Sequence, residues 1–331
     1  MDSEFHFDIT YLIALKAKFS KSEAKIIATS SQLVDDNTEK NYIKNDKGEI
    51  YKTYISQTSN ILKPSDELFR IYPSFHFVPG NPMSSTARRK DGTFHLLNTT
   101  PNNKNVKKLM NYALETNNLY SLGIASHAYS DSWSHQNFVG YYTDFNSLNG
   151  VLEKSAPNIG HADARHKPDQ VSLIWRDERL ISGNTLVDNN KRFISAAKEL
   201  LKYFGKYNNI SIKNRKPFLK QIDKIFSIKG NSYFKKRKRK KEYNKLSIDL
   251  SKENIPEYNK YEWFNDAVQN ETKNSVFLPN INFNNIEYIW RSVDYQKSSY
   301  YKFCEAIKQH QKQTDTLFQK DIYGGVQLNK W

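Results

Sequence analysis

Residues 105–138 read NVKKLMNYALETNNLYSLGIASHAYSDSWSHQNF, and how this run folds decides the class of the molecule. Its apolar residues recur at helical spacing, with a point of interruption near Asn117, and two-residue alternation is absent. Outward from it the same pattern repeats. Ile9, Leu12, Ile13 and Leu15 form an apolar face over residues 8–19. Ser20 and Glu23 have capping-box spacing ahead of a second helix that runs to Asp35 and Asp36. Helical patterns resume at about 188–206, 214–228, 260–270 and 284–318. FHFVPGNP (75–82) is broken by Pro79, Gly80 and Pro82 and reads as a short extended piece or loop. The spacing predicts an all-α, multi-helix bundle with long irregular loops.

At 331 residues the chain is long enough to bury a core. Hydrophobic residues make up 38% and aromatic ones 14%, so Phe, Tyr and Trp must carry much of the packing. The single cysteine, Cys304, excludes an internal disulfide framework and a cysteine-based zinc finger. No run approaches the roughly 20 apolar residues of a membrane span. The acidic start MDSEFHFDITYLIALKAKF, with Lys16 and Lys18 inside its apolar run, is a poor signal peptide. The expectation is a cytoplasmic protein, a reading compatible with delivery to another cell.

The formal charge of +15 suits an anionic partner. Its densest expression is KKRKRKKEYNK, where Lys235 to Lys241 are seven consecutive cations. Like charges repel, so residues 229–259 are expected to be an exposed, mobile basic insertion. Its readings are a solvated loop, an import-like address, or a patch for nucleic acid or an anionic membrane surface.

The eight histidines are not scattered. On a helix, residues four apart sit roughly 5–6 Å apart at Cβ, so His127 and Asp131 can chelate one ion and Asp131 and His135 another. Eight residues of helix rise about 12 Å, which leaves Asp131 as the bridge between two ions. Such a trio also arises by chance on helices. Ser130, Ser132 and Ser134, standing where a buried helix would show Leu or Ala, favour the polar-cluster reading. GHADARH adds His161, Asp163 and His166, followed by Asp169, in a loop punctuated by Gly160 and Pro168. His6 and Asp8, Asp35 and Asp36, and His76 are further elements, each weak singly. Imidazole with carboxylate and no thiolate favours zinc, with other divalent ions open. His95 matches nothing in this pattern, and His310 in KQHQKQ is expected to be solvated.

Taken in order, FHFDITYLIALKAKFS, SSQLVDDNT, FHFVPG, SHAYSDSWSHQNF and PNIGHADARHKPD resemble a bacterial family of unassigned function related to the zinc-dependent phospholipase C and single-strand nuclease superfamily. The resemblance covers about residues 4–206. It implies one all-α domain over 1–331 with a metal cleft between helices and two or three zinc ions. It implies one metal position from His127, Asp131, Asp35 and His76. A second would use His135, His161 and an acceptor among 163–169, with His166 and Asp169 as candidates. A third would use His6 with Asp131 bridging. Asp35 or Asp36 would orient the attacking water as general base. Three departures stand out: the chain opens MDSEFH where the secreted relatives carry an N-terminal Trp that binds zinc, leaving Asp8 as a substitute. Arg165 stands where an acid is expected, and one cysteine forbids the superfamily's disulfides.

The expected function is therefore a metal-dependent phosphodiester hydrolase, with metal-activated water attacking phosphorus in a nucleic acid, nucleotide or phospholipid. Tyr129, Trp133, Phe138, Tyr141 and Tyr142 would either stack bases or pack helices. The alternative is a non-catalytic, zinc-stabilised polyanion-binding protein.

Overall fold

A computed structural model describes residues 1–58, 70–148, 158–212, 214–271 and 287–321. These residues are mostly helical. A π-helical turn, Glu4–Ile9, leads into α1 (Thr10–Lys16), and α2 follows (Lys21–Asp36). The expected capping box is present: the Ser20 side chain and the Glu23 backbone and carboxylate satisfy each other at the start of α2. A second π-helical turn covers Tyr72–His76.

The 105–138 run divides as its asparagines suggest. Helix α3 (Lys104–Glu115) ends at Thr116, Asn117 takes a left-handed φ of 48°, and α4 (Leu119–Ser134) begins. Asn118 caps α4 by accepting from the amides of Tyr120 and Ser121. After α4 come α5 (Asn189–Tyr207), α6 (Arg215–Phe226), α7 (Tyr233–Ser251), α8 (Glu262–Ala267) and α9 (Ser299–Asp321).

The all-α expectation needs one correction. Short strands β1 (Tyr42–Lys44), β2 (Ile50–Lys52), β5 (Val268–Glu271) and β6 (Glu287–Trp290) form a sheet in the order β2-β1-β6-β5. β1 runs parallel to β6, and the other two pairings are antiparallel. β3 (Ile174–Arg176) and β4 (Leu186–Asp188) make a separate antiparallel pair. Strands of three or four residues offer hardly one full alternation, so they leave no periodic mark on the sequence. Residues 287–290 accordingly lie in strand where the helical pattern was read from 284.

Helix α4 is the axis. It packs against α2, α3, α5 and α9, and every residue from Tyr120 to Ser134 is buried. Small side chains permit this. A Cβ on Gly123 would stand 2.4 Å from the Ile27 carbonyl oxygen and 2.6 Å from the Ser30 Cβ, so α2 and α4 approach each other there closely. The serines expected to line a polar cluster mostly serve this packing. Ser130 Oγ donates to the His127 carbonyl and Ser132 Oγ to that of Tyr129, whereas Ser134 Oγ reaches Asp169. Tyr129, Trp133 and Phe138 are core residues, while Tyr141 and Tyr142 are exposed.

The basic segment is part of the fold and not a loose insertion. Residues 233–251 form the nineteen-residue helix α7, and Tyr243, Leu246 and Ile255 belong to the main core. Arg239, in the middle of the run, is fully buried. A buried cation needs partners, and it has them: Nε and Nη2 donate to Glu4 at 2.6 and 2.8 Å, and Nη1 donates to the carbonyls of Ile228 and Gly230. Tyr243 Oη adds a 2.6 Å bond to the same Glu4 carboxylate. Lys240 Nζ pairs with Asp8 at 2.7 Å. α7 thus clamps the π-helical turn that carries His6.

Candidate metal centre

Eight side chains converge beside α4. They come from the N-terminal π-turn (His6), the end of α2 (Asp35), the second π-turn (His76), α4 and its C-cap (His127, Asp131, His135) and the 158–170 loop (His161, Asp169). Both π-turns carry a histidine. A π-turn widens the helix locally and re-aims side chains, an arrangement that recurs at functional sites.

Asp131 is the hub. Its Oδ1 faces His6 Nε2 at 3.1 Å, and its Oδ2 faces His127 Nε2 at 3.2 Å, His76 Nδ1 at 3.3 Å and His135 Nδ1 at 3.5 Å. Asp35 Oδ1 lies 3.6 Å from His127 Nε2 and 3.7 Å from His76 Nδ1. On the other side, Asp169 Oδ1 faces His135 Nε2 and its Oδ2 faces His161 Nε2, both at 3.1 Å. The donors fall into three groups able to hold an ion: His6, His127 and Asp131; Asp35, His76 and His127; and His135, His161 and Asp169. The Met1 amino nitrogen sits between the hubs, against Asp131 Oδ1 and 3.4 Å from Asp169 Oδ1.

The outer ring nitrogens of four histidines are spoken for, while among the described residues the buried His6 Nδ1 has no hydrogen-bond partner. His127 Nδ1 donates to the Ser31 carbonyl at 2.8 Å, His76 Nε2 to Ser56 at 2.9 Å, His135 Nδ1 to His76 at 2.9 Å and His161 Nδ1 to Arg165 at 2.7 Å. Hydrogen bonds of this kind fix the tautomer and leave the other nitrogen's lone pair pointing inward, as behind metal ligands. His127 Nε2 and His76 Nδ1 consequently face each other at 3.0 Å. Two lone pairs so close repel, and only a cation between them, a proton or a metal ion, makes the contact favourable. This donor set and its backing fit a divalent metal.

The electrostatics agree. Burial opposes ionisation of Asp131, yet His135, the Met1 amine, His127 and His6 together hold its carboxyl well below the usual range. Asp169 is likewise held well below it, against burial, chiefly by His161 and the Met1 amine. Burial raises Asp35, so its carboxylate is the most basic of the three. Burial lowers His6 and His135 towards the neutral form a ligand needs, whereas against burial the carboxylates of Asp131 and Asp35 raise His127 and that of Asp169 raises His161. Burial would lower the Met1 amine too, but Asp131, Asp169 and Asp35 raise it to about 11.

Several expected residues lie elsewhere. His166 is exposed, because Arg165 takes a left-handed φ of 53° and turns the chain outward after it. Asp163 Oδ2 accepts from the Leu148 amide, which leaves Asp169 as the loop's acceptor. Asp36 is taken by Tyr258 Oη at 2.7 Å and Gln32 Nε2 at 3.1 Å, and it lines a separate cavity with Asn37, Tyr261 and Phe264. Asp8 pairs with Lys240 and does not reach the cluster. His135 turns its free nitrogen to Asp169, so the expected Asp131–His135 chelate is not formed through that nitrogen.

His310 is the clearest reversal. Instead of being solvated it is buried, donates from Nε2 to the Ser74 carbonyl at 3.1 Å and stacks on Phe75. It therefore pins the π-turn that presents His76. Its helix face was readable: Phe303, Ile307, His310 and Thr314 follow a three-and-four spacing and are all buried.

Residues 1–316 match the model of a family of unknown function, DUF6765, and the chain belongs to that family. No curated protein and no solved structure matches the chain. Neither result ties it to the phospholipase C and nuclease superfamily.

Proposed function

We propose that this member of the DUF6765 family binds two or three divalent ions, zinc in the first instance, and hydrolyses phosphodiesters. The observation that carries the reading is the pair of inward lone pairs of His76 and His127, 3.0 Å apart and backed by backbone carbonyls, beside three carboxylates. Asp35 with His76 and His127, His6 with His127 and Asp131, and His135 with His161 and Asp169 would hold the ions. Bound there, such ions would acidify water and neutralise charge developing on a phosphoryl group.

The chain's own residues supply the rest. Asp35, 28% exposed while Asp131 is 1% exposed, is the deep carboxylate that solvent can reach. Its burial-raised basicity suits it to orient a water and accept its proton. His161 and Asp169, 19% and 15% exposed, are also within reach of solvent and would face a phosphodiester approaching from that side. The kinship to zinc-dependent phospholipases and nucleases rests on motif order and belongs to this proposal.

A second reading is favoured by the complete burial of His6 and His127: a metal that only holds helices together, as closed sites do. Elemental analysis with a substrate panel separates the two. The panel comprises bis-p-nitrophenyl phosphate, single-stranded DNA and RNA, and phosphatidylcholine. The expected result is more than about one equivalent of metal after zinc supplementation, and hydrolysis of at least one substrate that chelation abolishes. Asp131→Asn should lose metal at least about a hundredfold more readily than wild type, and His310→Ala should not. Less than one equivalent in wild type overturns the metal reading; full metal with no turnover on the panel leaves the closed-site reading standing.

A further inference from the structure

The seven-cation run divides between the two faces of α7. Arg239 and Lys240 turn inward to Glu4 and Asp8, whereas Lys235, Lys236, Arg237, Lys238 and Lys241 are exposed. Among the described residues none of these five forms an ion pair with a carboxylate, although Lys236 acts through space on buried Asp2. Directly ahead of them stand Tyr233 and Phe234, 70% and 77% exposed. Large rings so open to water are costly unless something covers them. Phe234, Arg237, Lys238 and Lys241 follow an i, i+3, i+4, i+7 spacing and share one face of the helix.

We propose that this face docks on an anionic lipid bilayer, with Phe234 and neighbouring Tyr233 entering the headgroup layer and Arg237, Lys238 and Lys241 lying on anionic headgroups. The chemistry matches on both counts: aromatic rings settle at the membrane–water interface, and lysine stems run along apolar surface while their ammonium groups stay with phosphate. A single-stranded nucleic acid fits less well. The Tyr233 and Phe234 rings lie 5.8 Å apart at 74°, so they cannot both continue a column of parallel bases. Between Tyr233 and Lys241 the outward side chains include no amide, and the Tyr233 phenol is their one hydroxyl to read a base edge or a sugar.

The inward face makes the surface a rigid one. Arg239 and Tyr243 hold Glu4, and Lys240 holds Asp8, so docking has no loose segment to order. Because Glu4 and Asp8 flank His6, the docking face is braced against the segment that carries a metal-group histidine. The inference does not rest on hydrolysis or on metal.

Co-sedimentation of the full-length protein with vesicles tests it, using phosphatidylcholine alone and phosphatidylcholine with phosphatidylserine at about a third of the lipid. Each cation near such a surface multiplies affinity roughly fivefold. The expected result is selective, salt-sensitive binding to the anionic vesicles, lowered about a hundredfold by Arg237→Gln/Lys238→Gln/Lys241→Gln. Tyr233→Ser/Phe234→Ser should lower it about tenfold with little change in salt dependence. All five positions are exposed, so circular dichroism and metal content should match wild type. Three outcomes overturn the proposal: no binding to the anionic vesicles, equal binding to both kinds, or variants that bind as wild type does. A single-stranded oligonucleotide arm identifies the competing partner. Its loss in the triple variant, with vesicles unbound throughout, assigns the face to nucleic acid instead.

Discussion

Helix α4 carries two histidine–carboxylate groups that differ in depth. Around Asp131 the donors His6, His127 and Asp131 are sealed at 0–1% exposed, and of the partners from α2 and the Tyr72–His76 turn only Asp35, 28% exposed, reaches solvent. Around Asp169 the donors are His135 at the C-cap and His161 in a loop, with Asp169 15% and His161 19% exposed. Depth decides what each can do. A sealed group is set by the packing of distant elements and suits an ion that never leaves. An open group has room for a substrate oxygen and suits chemistry. His127 in the first group and His135 and His161 in the second share the same backing, a histidine N–H donated to a backbone carbonyl, so for these the difference lies in access and not in ligand type.

If the deep group is set by packing, a change far from any ligand should disturb it and leave the outer one alone. Arg239→Gln is that change. It leaves Glu4 buried with only Tyr243 Oη and removes the bonds to Ile228 and Gly230, a loss on the order of 3–5 kcal/mol. Urea unfolding should show that loss. Metal titration should show weaker retention in the group that includes His6, with the His135–His161–Asp169 group unchanged. Equal weakening of both, or of neither, would break the contrast between the two depths.

The deep group should also answer to pH through His310. Burial lowers this imidazole from an ordinary 6.5 to about 4. Between those values the unfolded chain takes up a proton that the folded one refuses, so stability falls as pH drops through the window and is unaffected above it. The full effect is about 3 kcal/mol by pH 4. His310→Gln should keep the bond to the Ser74 carbonyl and flatten that acid limb, read from urea midpoints between pH 7 and 4. An acid limb as steep as wild type would remove His310 as its source.

The sequence reading found the helix, its break and the central place of Asp131, because each is a local signal: spacing four on α4, a capping box before α2, Asn117 at the break. It could not choose among Asp163, His166 and Asp169. That choice depends on the left-handed turn at Arg165 and on the bond that Leu148 makes to Asp163, neither of which has a periodic signature. The basic run misled for a related reason. Arg239, Tyr243 and Leu246 form a buried stripe at helical spacing, but the surrounding lysines drown it, and Glu4, the carboxylate that requires Arg239, lies at the other end of the chain. His6 and His76 sit on π-turns, whose extra residue per turn no amphipathic pattern announces.

The serines of α4 give the finest cut. Ser130 and Ser134 look alike in the sequence, four residues apart and both buried. Ser130 Oγ bonds back to the His127 carbonyl of its own helix, whereas Ser134 Oγ donates to Asp169 Oδ1 at 2.9 Å. A hydrogen bond to a ligating carboxylate orients it, and losing one costs about 10–100-fold in metal affinity. Ser134→Ala should therefore weaken the outer group by about tenfold and lower hydrolysis in step, without touching the deep group. Ser130→Ala should do neither, since alanine keeps the helix and removes only a bond within it. Metal titration of the two variants, followed by turnover of bis-p-nitrophenyl phosphate at saturating zinc, reads the difference. If added zinc restores Ser134→Ala to full activity, the serine acts through affinity for the outer ion. If activity stays at wild type while that ion is lost, the outer group is not where the chemistry happens, and His135, His161 and Asp169 must be assigned a different role.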